Sequence, residues 1–314
     1  MTDRNKRIEE LKKKYGAGPV ENGLRLNPHD FLDMMEWRDE MDPHYARLWL
    51  EWTYGGLFQR GVLSDRVRLL VLIGQCIGMN ELHMLGSHIR AALGQGAKPR
   101  EILEVILQIN VYIGYQRVER AAKIFRDIIV ELGRMDELKK TAIPLEGSRS
   151  GWTEAQDRAT WRVSEQDLPR REELVKKYGW EGVGSGLRLQ PTHHPATLMK
   201  LDRVDQNFTK LWEDFVYGGM YTRGILDERT RELIIVGELL VLNEQAQIQN
   251  HMKAALMQGV PPRELLEVIL QSTCYIGMPS MTRNVGILEK LLEEQGRSKE
   301  ITENQIPLPP ARGR

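Results

Sequence analysis

Glu244, Gln247 and His251 stand three and four residues apart in a stretch free of glycine and proline. On an α-helix that spacing puts all three on nearly one face, and the seven residues from Glu244 to His251 rise about 10 Å in two turns. An imidazole near its ordinary pKa takes or gives a proton at neutral pH, and a neighbouring carboxylate can set its protonation state. The chemistry that fits is proton transfer to and from carbon or oxygen. Glu81 and His88 carry the same spacing upstream, with Met84 where the glutamine would be.

That recurrence is part of a larger one, at a fixed offset of 163 residues. Asn80-Glu81 returns as Asn243-Glu244, Tyr54-Gly55-Gly56 as Tyr217-Gly218-Gly219, and Tyr112-Ile113-Gly114 as Tyr275-Ile276-Gly277. Leu103 to Gln108 returns unchanged as Leu266 to Gln271, and Lys14-Tyr15-Gly16 as Lys177-Tyr178-Gly179. Each copy has the size of a domain, not of a solenoid unit. Positions where the copies differ are therefore informative. Leu69 stands where the second copy has Glu232, and Gln75 where it has Glu238.

The elements that must position these groups read as helices. Residues 31–60 are expected to form one long helix, followed by helices over 65–79 and 80–94. Pro99 suits the first turn of the next, and Gly114 interrupts before a helix over 116–133. No alternating strand pattern is evident, so the class is all-α, two similar bundles in tandem. The expected division is an arm over 1–30, a domain over 31–133, a connector and second arm over 134–193, a domain over 194–297 and a tail over 298–314. The charged segments Arg7 to Tyr15 and Arg170 to Tyr178 read as short amphipathic helices strapped over a neighbour.

The 314 residues carry 44 basic and 44 acidic side chains. That balance argues against a general nucleic-acid footprint. No apolar run is long enough for a membrane span and no apolar leader follows Met1, so the expectation is a cytoplasmic protein. Cys76 and Cys274 occupy non-equivalent positions and read as buried apolar side chains, not a bridge or redox pair. His193-His194 reads as a loop pair pointing apart, not as a metal site.

In the second copy, Tyr217-Gly218-Gly219, Gly224-Ile225-Leu226-Asp227, Thr230-Arg231-Glu232-Leu233, Asn243-Glu244, His251, Pro262-Arg263-Glu264 and Tyr275-Ile276-Gly277-Met278-Pro279 form one spaced block. The block resembles the carboxymuconolactone decarboxylase family, which shares its helical fold with alkylhydroperoxidase D-like proteins. The resemblance covers roughly 45–133 and 208–296. It implies two tandem alkylhydroperoxidase D-like domains, cofactor-free chemistry centred on His251, and assembly into trimers or hexamers. The peroxidase type needs a Cys-x-x-Cys pair ending four residues before the histidine. Those positions are Glu244 and Gln247 here, and Glu81 and Met84 in the first copy, so thiol-dependent peroxide reduction is not expected.

The resemblance also implies that Glu232 faces the stripe of His251. The catalytic candidates are then His251, Glu244 and Glu232. Arg223 and Arg231 are candidates to hold a substrate carboxylate, with Gln247, Tyr217 and Tyr275 as further substrate-binding candidates. A possible second site would use His88, Glu81 and His83, although His83 is five residues from His88 and off its face. The expected function is general acid–base catalysis on a small carboxylated or lactone-type organic acid, decarboxylation first. Isomerisation, hydrolysis, hydration and a non-catalytic binding or assembly role are the alternatives. The expected partners are that small acid and the chain itself, as a trimer of two-domain chains.

Overall fold

The computed structural model describes residues 3–149, 151–162, 164–303 and 305–307, and no strand occurs among them. The amino-terminal arm is itself helical, α1 (Asp3–Tyr15) and α2 (Ala17–Leu26). The single helix expected over 31–60 is two, α3 (Phe31–Met41) and α4 (Pro43–Thr53). The break follows from Asp42-Pro43. The Asp42 carboxylate accepts from the backbone of His44 and Tyr45, and Pro43 fills a first-turn position where its missing N–H costs nothing.

The bundle proper follows: α5 (Asp65–Met79), α6 (Leu82–Gly94), α7 (Pro99–Gln108), the short α8 (Asn110–Ile113) and α9 (Tyr115–Glu131). The connector carries α10 (Met135–Lys140) and α11 (Glu154–Arg158). The second copy repeats the plan as α12 (Leu168–Tyr178), α13 (Trp180–Leu189), α14 (His193–Asp202), α15 (Gln206–Glu213), α16 (Glu228–Leu242), α17 (Gln245–Met257), α18 (Pro262–Gln271) and α19 (Thr273–Glu294). A short α20 (Lys299–Thr302) opens the tail, whose last residues, 308–314, lie outside the described ones.

The copies share one core. Helices α5 and α16 cross so closely that a Cβ at Gly237 would sit 2.5 Å from Val71 Cγ1, and one at Gly74 would sit 2.8 Å from Glu238 Cγ. Polar groups stitch the same seam. Arg231 donates to Gln108 at 3.0 Å and pairs with Glu104 at 3.4 Å. The mirror contacts are Arg68 to Gln271 at 2.8 Å and to Glu267 at 3.5 Å. Glu238 is wholly buried there, and that burial lifts its carboxyl well above the usual carboxylate range.

Two local expectations are corrected. His193 and His194 are not in a loop but open α14. Cys76 is buried, whereas Cys274 is solvent-exposed at the start of α19. Among the described residues no helix is long and apolar enough to cross a membrane.

Candidate active site

The turn between α16 and α17 builds the site. Helix α16 ends at Asn243, in the left-handed region at φ 60°, where its N–H closes onto the carbonyls of Leu239 and Leu240. Asparagine reaches that conformation at less cost than most residues. Glu244 then caps α17, which runs back along α16. The repeated Asn-Glu pair is thus the hinge of a helix reversal, and Asn80 adopts the same φ.

The reversal faces Glu232 of α16 toward His251 of α17. Glu232 Oε2 lies 2.8 Å from His251 Nδ1, with the two side chains 2% and 4% exposed. A carboxylate there accepts the Nδ1 proton and fixes the tautomer, leaving Nε2 for chemistry. Two groups reach that nitrogen. The Tyr112 hydroxyl is 3.1 Å away, and the Gln190 amide nitrogen is also 3.1 Å away. Tyr221 stands behind Tyr112, its hydroxyl 2.7 Å from that of Tyr112.

Tyr112 belongs to the first copy. Gly114, at φ 75° and ψ 167°, is in a conformation that only glycine adopts freely, and it ends α8 just past this tyrosine. The second copy sends Tyr275 the other way, its hydroxyl 3.0 Å from His88 Nε2. Each histidine is thereby met by a tyrosine from the other copy. Burial, then the neighbouring Tyr221, holds the Tyr112 hydroxyl far above its ordinary pKa. Burial does the same for Tyr221. Both remain proton donors at neutral pH.

A cavity of about 290 Å³ opens on His251. Tyr112, Gln190, Tyr217 and Tyr221 line it, with Glu244 and Gln247 at its rim and Val111, Trp212, Val216 and Leu239 as apolar wall. Tyr217 comes from a π-helical turn, Asp214–Gly219, that prolongs α15. His193 also reaches this cavity, while its Nδ1 meets Asn250 at 3.0 Å.

The sequence candidates therefore separate. His251, Glu244, Gln247 and Tyr217 line one cavity, Glu232 holds His251 by its Nδ1, and Tyr275 serves His88. Arg223 and Arg231 are not among its lining residues. Both pair with Glu104, Arg223 at 2.9 Å, and Arg231 is 2% exposed. Their charge is used in the seam between the copies.

The first copy lacks the acid. Leu69 is fully buried where Glu232 would stand, and His88 Nδ1 is buried with no hydrogen-bond partner. Burial pushes the His88 imidazole down to about 4, so it is neutral at pH 7. Glu81 is exposed at the amino end of α6, and the His83 side chain is 74% exposed, 3.9 Å from Asp30. The three do not converge.

A second polar pair escaped the sequence reading. His194 Nε2 lies 2.9 Å from Glu213 Oε1, both fully buried, and the imidazole meets the Tyr217 ring edge-on at 4.4 Å. Phe31 and Leu50 hold these places in the first copy, and the same glycine position seats both rings. A Cβ at Gly186 would strike His194, as one at Gly23 would strike Phe31. The replacement of an apolar pair by a buried ionisable one was the available signal.

The model of the carboxymuconolactone decarboxylase family matches residues 43–127 and again 206–290, more than half of the chain. The chain belongs to the carboxymuconolactone decarboxylase family. Both matches contain the histidine of their copy, whereas the arms and connector lie outside them. Among similar proteins is 4-carboxymuconolactone decarboxylase of Acinetobacter baylyi, 28% identical over 108 residues, which is 34% of this chain and 81% of that protein. Nitrosuccinic acid decarboxylase of Metarhizium robertsii is 31% identical over 90 residues, 29% of this chain and 63% of its own length. An uncharacterized 15.0 kDa protein of Paracoccus denitrificans is 33% identical over 84 residues, 26% of this chain and 63% of its own.

Proposed function

We propose that the second copy is a cofactor-free decarboxylase acting on a small carboxylated or lactone-type organic acid, with His251 as the proton donor. The observation that carries this reading is the Glu232 carboxylate on His251 Nδ1, which leaves Nε2 facing the cavity beside Tyr112. Family membership supports it, as do the two relatives named as decarboxylases. In the reaction the bond to the leaving carboxylate breaks and its electron pair stays on the adjacent carbon. The Nε2 proton of the imidazolium passes to that carbon, and a proton taken up from solvent restores it, so one proton is consumed for each carbon dioxide released. Glu232 stabilises the imidazolium before transfer. A carboxylate held against Val111, Val216 and Leu239 loses water without gaining a guanidinium, which favours its departure as carbon dioxide.

A second reading follows from the same absence of arginine among the lining residues. An uncharged substrate could be isomerised or hydrated by the same proton groups. One experiment separates the two. Aromatic-catabolite lactone acids and keto acids labelled with ¹³C at the carboxyl are incubated with the protein in deuterated water. Labelled carbon dioxide with one deuteron in the product is the expected result. Deuterium incorporation with the carboxyl retained would favour the second reading.

We further propose that the chain assembles with itself as a trimer. Met41, Tyr45, Leu48 and Trp52 are exposed on α3 and α4, and Val204, Phe208, Leu211 and Phe215 are exposed at the equivalent positions of the second copy. Apolar faces repeated at the domain offset suit a ring in which one copy's face meets the other copy's face of the next chain.

A further inference from the structure

Beside the proton-transfer cavity lies a larger one, of about 820 Å³, and Tyr221 lines both. Its walls are the connector and the start of the second copy. Five arginines line it: Arg149 and Arg162 from the connector, and Arg188, Arg223 and Arg231 from the second copy. The second-copy three have counterparts that make the same kinds of ion pair, Arg25 with Asp65, Arg60 with Glu267 and Arg68 with Glu267. They belong to the architecture of both copies. What is particular to this cavity is that the connector folds two more guanidiniums over them.

The charges do not balance. Arg188 pairs with Glu228, Arg149 with Asp157, and Arg223 and Arg231 share Glu104. Arg162 reaches the carbonyl of Met257 and pairs with no carboxylate among the described residues. Five guanidiniums against three carboxylates leave two positive charges over. Donors are also left over, since Arg149 Nη1 is buried with no hydrogen-bond partner. Burial first, then the nearby Arg149, pulls the Arg188 guanidinium down to about 10. One of those two charges has its counterpart in the first copy, where Arg60 and Arg68 share Glu267, and the other enters with Arg162 of the connector.

We propose that this cavity is a binding site for a small polyanion, a compound carrying at least two carboxylate or phosphate groups. Such a ligand would neutralise the two uncompensated charges and accept from the lining guanidiniums in the bidentate manner they favour. The volume is in the range of ordinary small-molecule sites. The site shares Tyr221 with the proton-transfer cavity, but its arginines take no part in that chemistry.

Isothermal titration of the full chain with citrate and with pyrophosphate, at low ionic strength, tests this directly. The comparison proteins are Arg162→Gln and Arg162→Glu, because Arg162 is exposed and its bond is to a backbone carbonyl. We expect saturable binding of at least one anion, one per chain, weakened roughly tenfold or more by Arg162→Gln and abolished by Arg162→Glu. Binding of citrate alone would assign the site to carboxylates, and binding of pyrophosphate alone to phosphates. If Arg162→Glu fails to fold, Arg162→Gln carries the comparison. No saturable binding of either anion at millimolar concentration, or unchanged affinity in the folded variants, would overturn the proposal.

Discussion

Glu232 Oε2 stands 2.8 Å from Nδ1 of His251, and both groups are shut away from water. Eleven residues before the turn at Asn243 and eight after it, the two are brought together by a helix reversal that the chain performs twice. Only once does the reversal join an acid to a base, because the first copy has Leu69 opposite His88. Duplication has kept the scaffold and let the polar groups diverge.

That divergence predicts an acid-labile first copy. The folded-state pKa of His88 is about 4 against an ordinary value of 6.5, so the unfolded chain binds the proton more readily. Stability from this group is fully present above pH 6.5 and is lost as pH falls toward 4, by about 3 kcal/mol in total. His88→Gln keeps a side chain able to meet Tyr275 but does not titrate. Urea melts at pH 7 and pH 4 are expected to show a smaller acid loss for this variant. An equal loss in both proteins would mean that His88 is not the buried neutral base described.

The His194–Glu213 pair offers its own control. Glu213→Leu alone strands a buried imidazole and is expected to cost about 3–5 kcal/mol. Adding His194→Phe reproduces the pair found in the first copy and is expected to return stability to within about 1 kcal/mol of the parent. Thermal melts of the single and double variants check this. Simple additivity of the two losses would show that the residues do not act together.

Self-association is testable without a substrate. Light scattering at micromolar concentration is expected to give the mass of three chains. Leu48→Glu combined with Leu211→Glu places charges on both exposed apolar faces and is expected to leave a folded monomer. A monomeric parent would remove the assembly proposal.

Much of this was legible in the sequence, and the exceptions have physical causes. The 163-residue offset exposed the duplication, and glycine and proline punctuation located α5, α7 and the break at Gly114. The join between α3 and α4 was missed because the apolar spacing runs on through Asp42-Pro43, where the capping pair outweighs it. Within the site, the Glu244–Gln247–His251 stripe follows from helical period alone. Tyr112 does not, since it reaches His251 from 139 residues away and across the seam. Gln190 and Tyr221 are likewise brought in by packing. Arg223 and Arg231 looked like substrate ligands because a sequence does not show that Glu104 of the other copy claims them.

The central claim is that proton transfer belongs to the second copy alone. The most direct measurement is carbon dioxide release, at saturating substrate, by His251→Ala and His88→Ala proteins matched for folding. His251→Ala is expected to lose about 10²–10⁴-fold, the usual worth of a positioned acid or base, and His88→Ala far less. Equal losses, or a larger loss from His88→Ala, would contradict it.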